Sequence, residues 1–409
     1  MQGLFQPDSV IQSLLDTDFY KYLMQQAIFD LYHGVEAKVA FHCFSDNDLG
    51  LDLHYIKEEI EKLEDLRFEK SDIWYLSQLG RTQHHKSSFF KSNFLSYLKH
   101  YRLSSRKCSL SVNNQNQLFV DVKGSWIDIL HFQIFILTIV QQSYHQRHYP
   151  KLDADLALQN IDRKVKDFIK AAQKQKIDLS ALQICDLGTR NRFNYQTQWR
   201  VLDYLRQALP EQSFIGTSNL HIAREMNIPC IGSQGHEWFM AHQQLSVLHQ
   251  FQCEALSNWV KVFQGHPGLA LTGTLSFDAF LQKFNLFYAK LYDGIRINAQ
   301  DPIPFIERII EHYKGLGIDP KRKYLMISDQ LDLDTHLLNI YHNYHDKINL
   351  IFGLRETLTC GFSKYKKINM IMDLVECERH PVARFSQGIP QTSKAYLAFV
   401  EYLKTMFES

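Results

Sequence analysis

From residue 182 onward the chain alternates short apolar runs with helical stretches, and this alternation limits the fold more than any other feature. The runs are LQICDLG, SFIGTS, IPCIGS, LALTGT, YDGIRI, KYLMISD and INLIFG. Each is short enough to be a buried strand, and most are followed by a segment with helical periodicity. DPIPFIERIIEHY is the clearest such segment. Asp301 is a candidate N-cap, Pro302 stands in the first turn, and Ile303, Ile306, Ile309 and Ile310 form one apolar face. Ser276 is a cap candidate for SFDAFLQKF. Strand-like runs joined by helices predict a parallel α/β sheet, closed as a barrel.

The N-terminal part has a different texture. A helix is expected over about 9–32, a strand over about 36–45, and helices near 52–66 and 89–100. SLSV and LFVDV flank the turn residues NNQN and predict a hairpin over 108–122. An apolar helix follows over 126–145. After Pro150, the spacing of Leu158, Ile161, Val165, Phe168, Ile169 and Ala172 predicts an amphipathic helix. The expected organisation is an N-terminal mixed α+β domain (1–150), an α/β barrel domain with active-site loops (151–365), and a C-terminal segment (366–409) returning to the N-terminal domain.

Bulk properties exclude several classes. The 45 basic and 44 acidic residues give a net charge of +1, which argues against a dedicated nucleic-acid binder. Seven cysteines without a CxxC pair predict neither a disulfide framework nor a zinc ribbon, and fit a reducing cytoplasm. MQGLFQPDSV has no basic and apolar leader pattern, so no signal peptide is read. The stretch WIDILHFQIFILTIV contains Asp128, His131 and Gln133 and is shorter than the roughly 20 residues of a membrane span. It predicts a buried helix.

In a barrel, chemistry gathers at the C-terminal strand ends. Here those ends read DLGTR, GTSN, GSQGHE, TGT, IRIN, SDQLD and FGLRE. Hydroxyls, glycine backbone and arginine at so many ends suit an anionic substrate. His236 stands where one such end becomes a helix. It is a poor zinc ligand, because His242 follows at a spacing that turns the two side chains about 120° apart on a helix. A general acid or base, a phosphate acceptor and a structural helix cap all remain open from the residues alone.

GTSN (216–219) followed by GSQGHEWFMAHQ (232–243) resembles the central signature of bacterial nicotinate phosphoribosyltransferases. LLDTDFYKYLMQQA (14–27), HYKGLGIDPKRKYLMISDQLDL, LTC (358–360) and LVEC with PVARFS (374–386) resemble further blocks of that family, in the same order. The resemblance implies a type II phosphoribosyltransferase architecture acting as a homodimer with shared active sites. It implies that nicotinate and 5-phosphoribosyl 1-pyrophosphate are joined to nicotinate mononucleotide and pyrophosphate. ATP would be hydrolysed through a phosphohistidine at His236, with Glu237 orienting or tuning the ring and Mg²⁺ required. Tyr20 resembles the aromatic that stacks on the pyridine ring from the neighbouring subunit, and Arg296 the arginine facing the nicotinate carboxylate. Ser218 stands where nicotinamide-using relatives carry aspartate, so it favours the acid. Gly188, Arg190, Thr217, Asn298, Asp329 and Gly353 fall at the remaining substrate-binding positions, and Asp301 and Asp329 are outer-shell candidates for the metal.

The departures from the family pattern gather where phosphates should bind. The family's RxDSGDP is Arg296-Ile297-Asn298-Ala299-Gln300-Asp301-Pro302, and its FGIGT-type loop is Phe352-Gly353-Leu354-Arg355-Glu356. Leu187 and Asn191 replace Phe and the second Arg of a DFGxRR-like motif, Gln330 ends an SDN-like motif, and Asp373 occupies a lysine-like position. Two readings follow. One is a working but divergent enzyme. The other is a weakened or inactive relative that still binds nicotinate, ATP or a partner subunit.

Overall fold

The computed structural model describes residues 9–45, 49–81, 88–114, 116–263, 268–299, 301–328, 331–360, 368–385 and 394–407. Gln300, Asp329 and Gln330, singled out above, lie outside them. In chain order the strands are β1 (Glu36–Cys43), β2 (Cys108–Val112), β3 (Leu118–Ser125), β4 (Gln183–Asp186), β5 (Phe214–Thr217), β6 (Leu269–Leu271), β7 (Gly294–Ile297), β8 (Tyr324–Ile327), β9 (Asn349–Leu354), β10 (Met370–Cys377) and β11 (His380–Pro381). They form two sheets. One is antiparallel, in the order β11-β10-β1-β3-β2; the other is parallel, in the order β5-β4-β9-β8-β7-β6. The fold is mixed α/β. Among the described residues no helix is long and apolar enough to cross a membrane.

Six of the seven apolar runs become strands of the parallel sheet. The seventh, IPCIGS, does not join the ladder and makes only an isolated bridge, Thr217 to Cys230. It lies between the two sheet edges. Ile231 N donates to Thr217 O at 2.8 Å beside β5, and Gln234 Oε1 accepts from Leu271 N at 3.1 Å on β6. Pro229 has no N–H to offer a ladder. The gap between edges is therefore spanned by one short segment and one side chain, with the glycine-rich stretch left at the mouth.

The N-terminal helix runs over Phe19–Leu31, not from residue 9. Its preceding residues have other partners, which hold them out of helical geometry. Arg192 Nη1 and Nη2 donate to Asp16 Oδ1 and Oδ2 at 2.6 and 2.7 Å, and neither side chain is exposed. Asn219 Nδ2 donates to the same carboxylate at 2.8 Å, and Arg192 Nη2 also reaches Val10 O at 3.1 Å. Burial pushes the Asp16 pKa up, but the Arg192 charge and hydrogen bonds outweigh it and hold the carboxyl below its usual range. Ile303 is another departure. Ile306, Ile309 and Ile310 are buried, but Ile303 is exposed because it opens the helix Ile303–Gly315 at the surface. The hairpin and the Ser276 cap, which accepts from Ala279 N at 3.1 Å, follow the sequence reading, whereas the single helix expected over 126–145 divides into Trp126–Ile129 and the buried Phe132–His148.

Deleting one side of a buried ion pair leaves the other charge without compensation. Arg192→Met is expected to destabilise the protein by about 3–5 kcal/mol. Asp16→Leu in the same chain should return part of that loss, because no buried charge then remains. Urea titration of the single and double variants measures both; an Arg192→Met loss below about 1 kcal/mol would show that the pair does not hold this segment.

Candidate active site

The C-terminal ends of the parallel strands open into a cavity of about 800 Å³. Seven of the residues selected from sequence line it: Tyr20, Arg190, Ser218, His236, Glu237, Arg296 and Asn298. Thr217, Gly188 and Gly353 do not. Thr217 Oγ1 donates to Asp186 Oδ2 at 2.6 Å, and Gly188 N donates to Asp186 Oδ1 at 2.9 Å. Asp186 ends β4 and is buried; burial raises its pKa to about 6 against these hydrogen bonds. Thr217 and Gly188 thus support the strand ends from behind. A Cβ at Gly353 would fall 2.4 Å from Leu187 Cδ1, so this glycine makes room for the Leu187 side chain, which does reach the cavity. Asp329 lies outside the described residues.

His236 opens the helix His236–Leu245. Its ring is half-buried and held at both nitrogens: Asn298 Nδ2 stands 3.3 Å from Nε2, and Thr274 Oγ1 stands 3.1 Å from Nδ1. The network orders the protons. Arg296 Nε can only donate, and it gives its proton to Ser328 Oγ at 2.9 Å. Ser328 Oγ donates to Asn298 Oδ1 at 2.5 Å. The Asn298 amide then donates to Nε2, and Nδ1–H donates to Thr274. An aspartate at 298 has no such donor, so the departure Asn298 selects the tautomer with its lone pair on Nε2. Burial lowers the His236 pKa well below the usual value, and the charges of Arg384, Arg296, Arg190 and Arg355 lower it further. The ring is a neutral base facing four cations.

Glu237 does not touch that ring. Its carboxylate accepts from Lys21 Nζ at 2.6 Å and from Trp126 Nε1 at 2.6 Å, in a buried seam with the helix Phe19–Leu31. The orientation expected from Glu237 comes instead from Thr274 and Asn298. The Ser218 hydroxyl is also committed: it donates to Asp18 Oδ1 at 2.6 Å. A hydroxyl has one proton, so recognition of a carboxylate at this wall falls to Arg296. Tyr20 lines the cavity of its own chain, whereas the family resemblance brings this aromatic from a neighbouring subunit. It packs flush on the glycine-rich stretch, where a Cβ at Gly235 would fall 2.7 Å from Tyr20 Cε2. The small residues before His236 therefore serve aromatic packing.

Sequence reasoning passed over Asp18, Lys21, Thr274 and Arg384. Each lies inside a stretch already quoted: the N-terminal motif, the TGT strand end and PVARFS. No periodicity or spacing marks them, because their partners are remote in sequence.

Comparison with known proteins places the chain in a family. The nicotinate phosphoribosyltransferase (NAPRTase) family model matches residues 182–409, and the model of that family's N-terminal domain matches residues 15–141. The nicotinate phosphoribosyltransferase of Photorhabdus laumondii is 36% identical, covering 98% of this chain and 96% of its own. That of Buchnera aphidicola is 34% identical, covering 98% and 97%. The crystal structure of nicotinate phosphoribosyltransferase from Vibrio cholerae superposes with a TM-score of 0.90 at 33% identity, covering 99% of this chain and 95% of that one. The Porphyromonas gingivalis structure, at 22% identity and a TM-score of 0.85, shares the fold. With two family models matched in succession and relatives above 30% identity along nearly its full length, the chain belongs to the nicotinate phosphoribosyltransferase family.

Proposed function

We propose that this chain is a working nicotinate phosphoribosyltransferase. It joins nicotinate to 5-phosphoribosyl 1-pyrophosphate, releasing nicotinate mononucleotide and pyrophosphate in salvage of the pyridine ring for NAD. ATP hydrolysis is coupled through phosphorylation of His236. The observation carrying this reading is the setting of that ring: Asn298 Nδ2, a donor, stands 3.3 Å from Nε2, and Arg384, Arg296, Arg190 and Arg355 line the same cavity, which together with burial favours the neutral form. A neutral imidazole is the nucleophilic form. The arginines neutralise phosphate charge, and the helix start adds partial positive charge. Asn298 yields its hydrogen bond when Nε2 takes a phosphoryl group, while Thr274 keeps Nδ1 in place.

Nicotinate fits between the Tyr20 ring and Arg296, with the guanidinium on its carboxylate. Tyr20 and His236 line the same cavity of the chain. For Mg²⁺, no group of three or more His, Cys, Asp or Glu side chains among the described residues is placed to hold a metal ion. Asp301 Oδ1 instead accepts from Ile303 N at 3.3 Å. Mg²⁺ then arrives on the polyphosphate substrates, as is common for this ion.

Three outcomes are expected. Incubation with γ-labelled ATP gives acid-labile, base-stable label on the wild type and none on His236→Ala; equal label on both would refute the assignment. The pH dependence follows from the depressed His236 basicity. An ordinary imidazole protonates near pH 6.5; this one stays neutral to lower pH, so the single-turnover rate of labelling holds through pH 6.5 and falls only below it. A rate already halved at pH 6.5 would contradict the neutral-ring reading. Finally, Arg296→Ala should weaken nicotinate roughly tenfold or more and leave nicotinamide nearly unchanged, since one charge-assisted contact is lost. Calorimetry with both ligands tests this, and equal losses would count against it.

A further inference from the structure

Asp373 and Arg384 form an ion pair in the wall of the cavity. Asp373 lies on β10, opposite Ala40 of β1, in the antiparallel sheet. Both Nε and Nη2 of Arg384 donate to Asp373 Oδ2, each at 2.7 Å. The two side chains are 11% and 15% exposed, so the pair is poorly screened by solvent.

The segment carrying Arg384 is tied to the His236 helix and to the loop that holds the ring. Gln243 Nε2 donates to Ala383 O at 2.7 Å, and Gln243 Oε1 accepts from Ala383 N at 2.9 Å. Phe385 N donates to Thr274 O at 2.9 Å, and Thr274 Oγ1 is the partner of His236 Nδ1. Arg384 is also the strongest of the charges that keep His236 neutral. The guanidinium is thus held in the wall of the same cavity, within electrostatic reach of the ring.

We propose that Asp373 is a specificity-determining residue of the anion site: it occupies Arg384, so an entering pyrophosphate group must take the guanidinium from a carboxylate already bonded to it. This inference rests on the reading of the cavity as a phosphoribosyltransferase site. Two effects act together. The anion loses part of the Arg384 contact, and it meets the Asp373 charge across a partly buried wall, where repulsion is stronger than in water. Nicotinate at Arg296 is spared both.

The test is calorimetry with inorganic pyrophosphate and, separately, nicotinate. Asp373→Asn keeps a hydrogen-bond acceptor for Arg384 and removes the charge. It should tighten pyrophosphate about three- to tenfold and leave nicotinate within about twofold. Arg384→Gln should weaken pyrophosphate, and adding Asp373→Asn to it should give a smaller gain than in the wild-type background, because only the repulsion is then relieved and no guanidinium is freed. A purely structural carboxylate would not tighten a ligand on its removal. Pyrophosphate binding that is unchanged or weaker in Asp373→Asn overturns the proposal. If that variant loses nicotinate binding, Asp373→Ser removes the same charge with a smaller side chain. Loss of nicotinate binding in both would assign Asp373 to structure and also overturn the proposal. Wild-type protein that binds neither probe would sink the proposed function itself, and this inference with it; wild type that binds both isolates the question to Asp373.

Discussion

The site depends on how residues 16–21 are pinned to the parallel sheet. Asp16 is locked to Arg192, Asp18 to the Ser218 hydroxyl, and Lys21 to Glu237. Phe19 N adds a bond to Ser218 O at 2.8 Å. Two of these contacts are buried ion pairs, which add little net stability but cost much when one partner is lost. What they achieve is placement. Tyr20 stands between the anchors, and with its neighbours fixed on either side its ring has one place to go, against Gly235 at the mouth of the cavity.

The same economy explains Glu237. It follows His236 directly, yet on a helix adjacent residues point about 100° apart. When His236 faces the cavity, Glu237 faces the seam toward Lys21 and Trp126. The ring is instead oriented by residues far along the chain, Thr274 and Asn298. Departures from the family pattern acquire a sense in this setting. Asn298 donates where an aspartate has no proton, Leu187 fills the space left by Gly353, and Asp373 balances Arg384. They adjust a site whose cations still converge on one neutral histidine.

Much of the fold was legible because apolar periodicity and turn chemistry act locally. Six of seven apolar runs became parallel strands, the 108–122 hairpin formed, and Ser276 capped its helix. The misreadings had tertiary causes. Asp16 and Asp18 interrupt the expected 9–32 helix because remote partners claim their side chains. IPCIGS became a seam because Pro229 lacks a donor and the neighbouring edge is met by the Gln234 side chain.

By itself, then, the sequence determined the α/β class, the strand ends that open into the cavity, the family blocks and the place of His236 at the start of a helix. Those are properties of short stretches, and short stretches carry their own hydrogen-bonding and burial preferences. Only the tertiary structure decided which partner each polar group takes. Asn298 lies 62 residues from His236, and Lys21 lies 216 from Glu237. A carboxylate or hydroxyl bonds whichever donor or acceptor packing brings within about 3 Å, and nothing local in the chain specifies that neighbour.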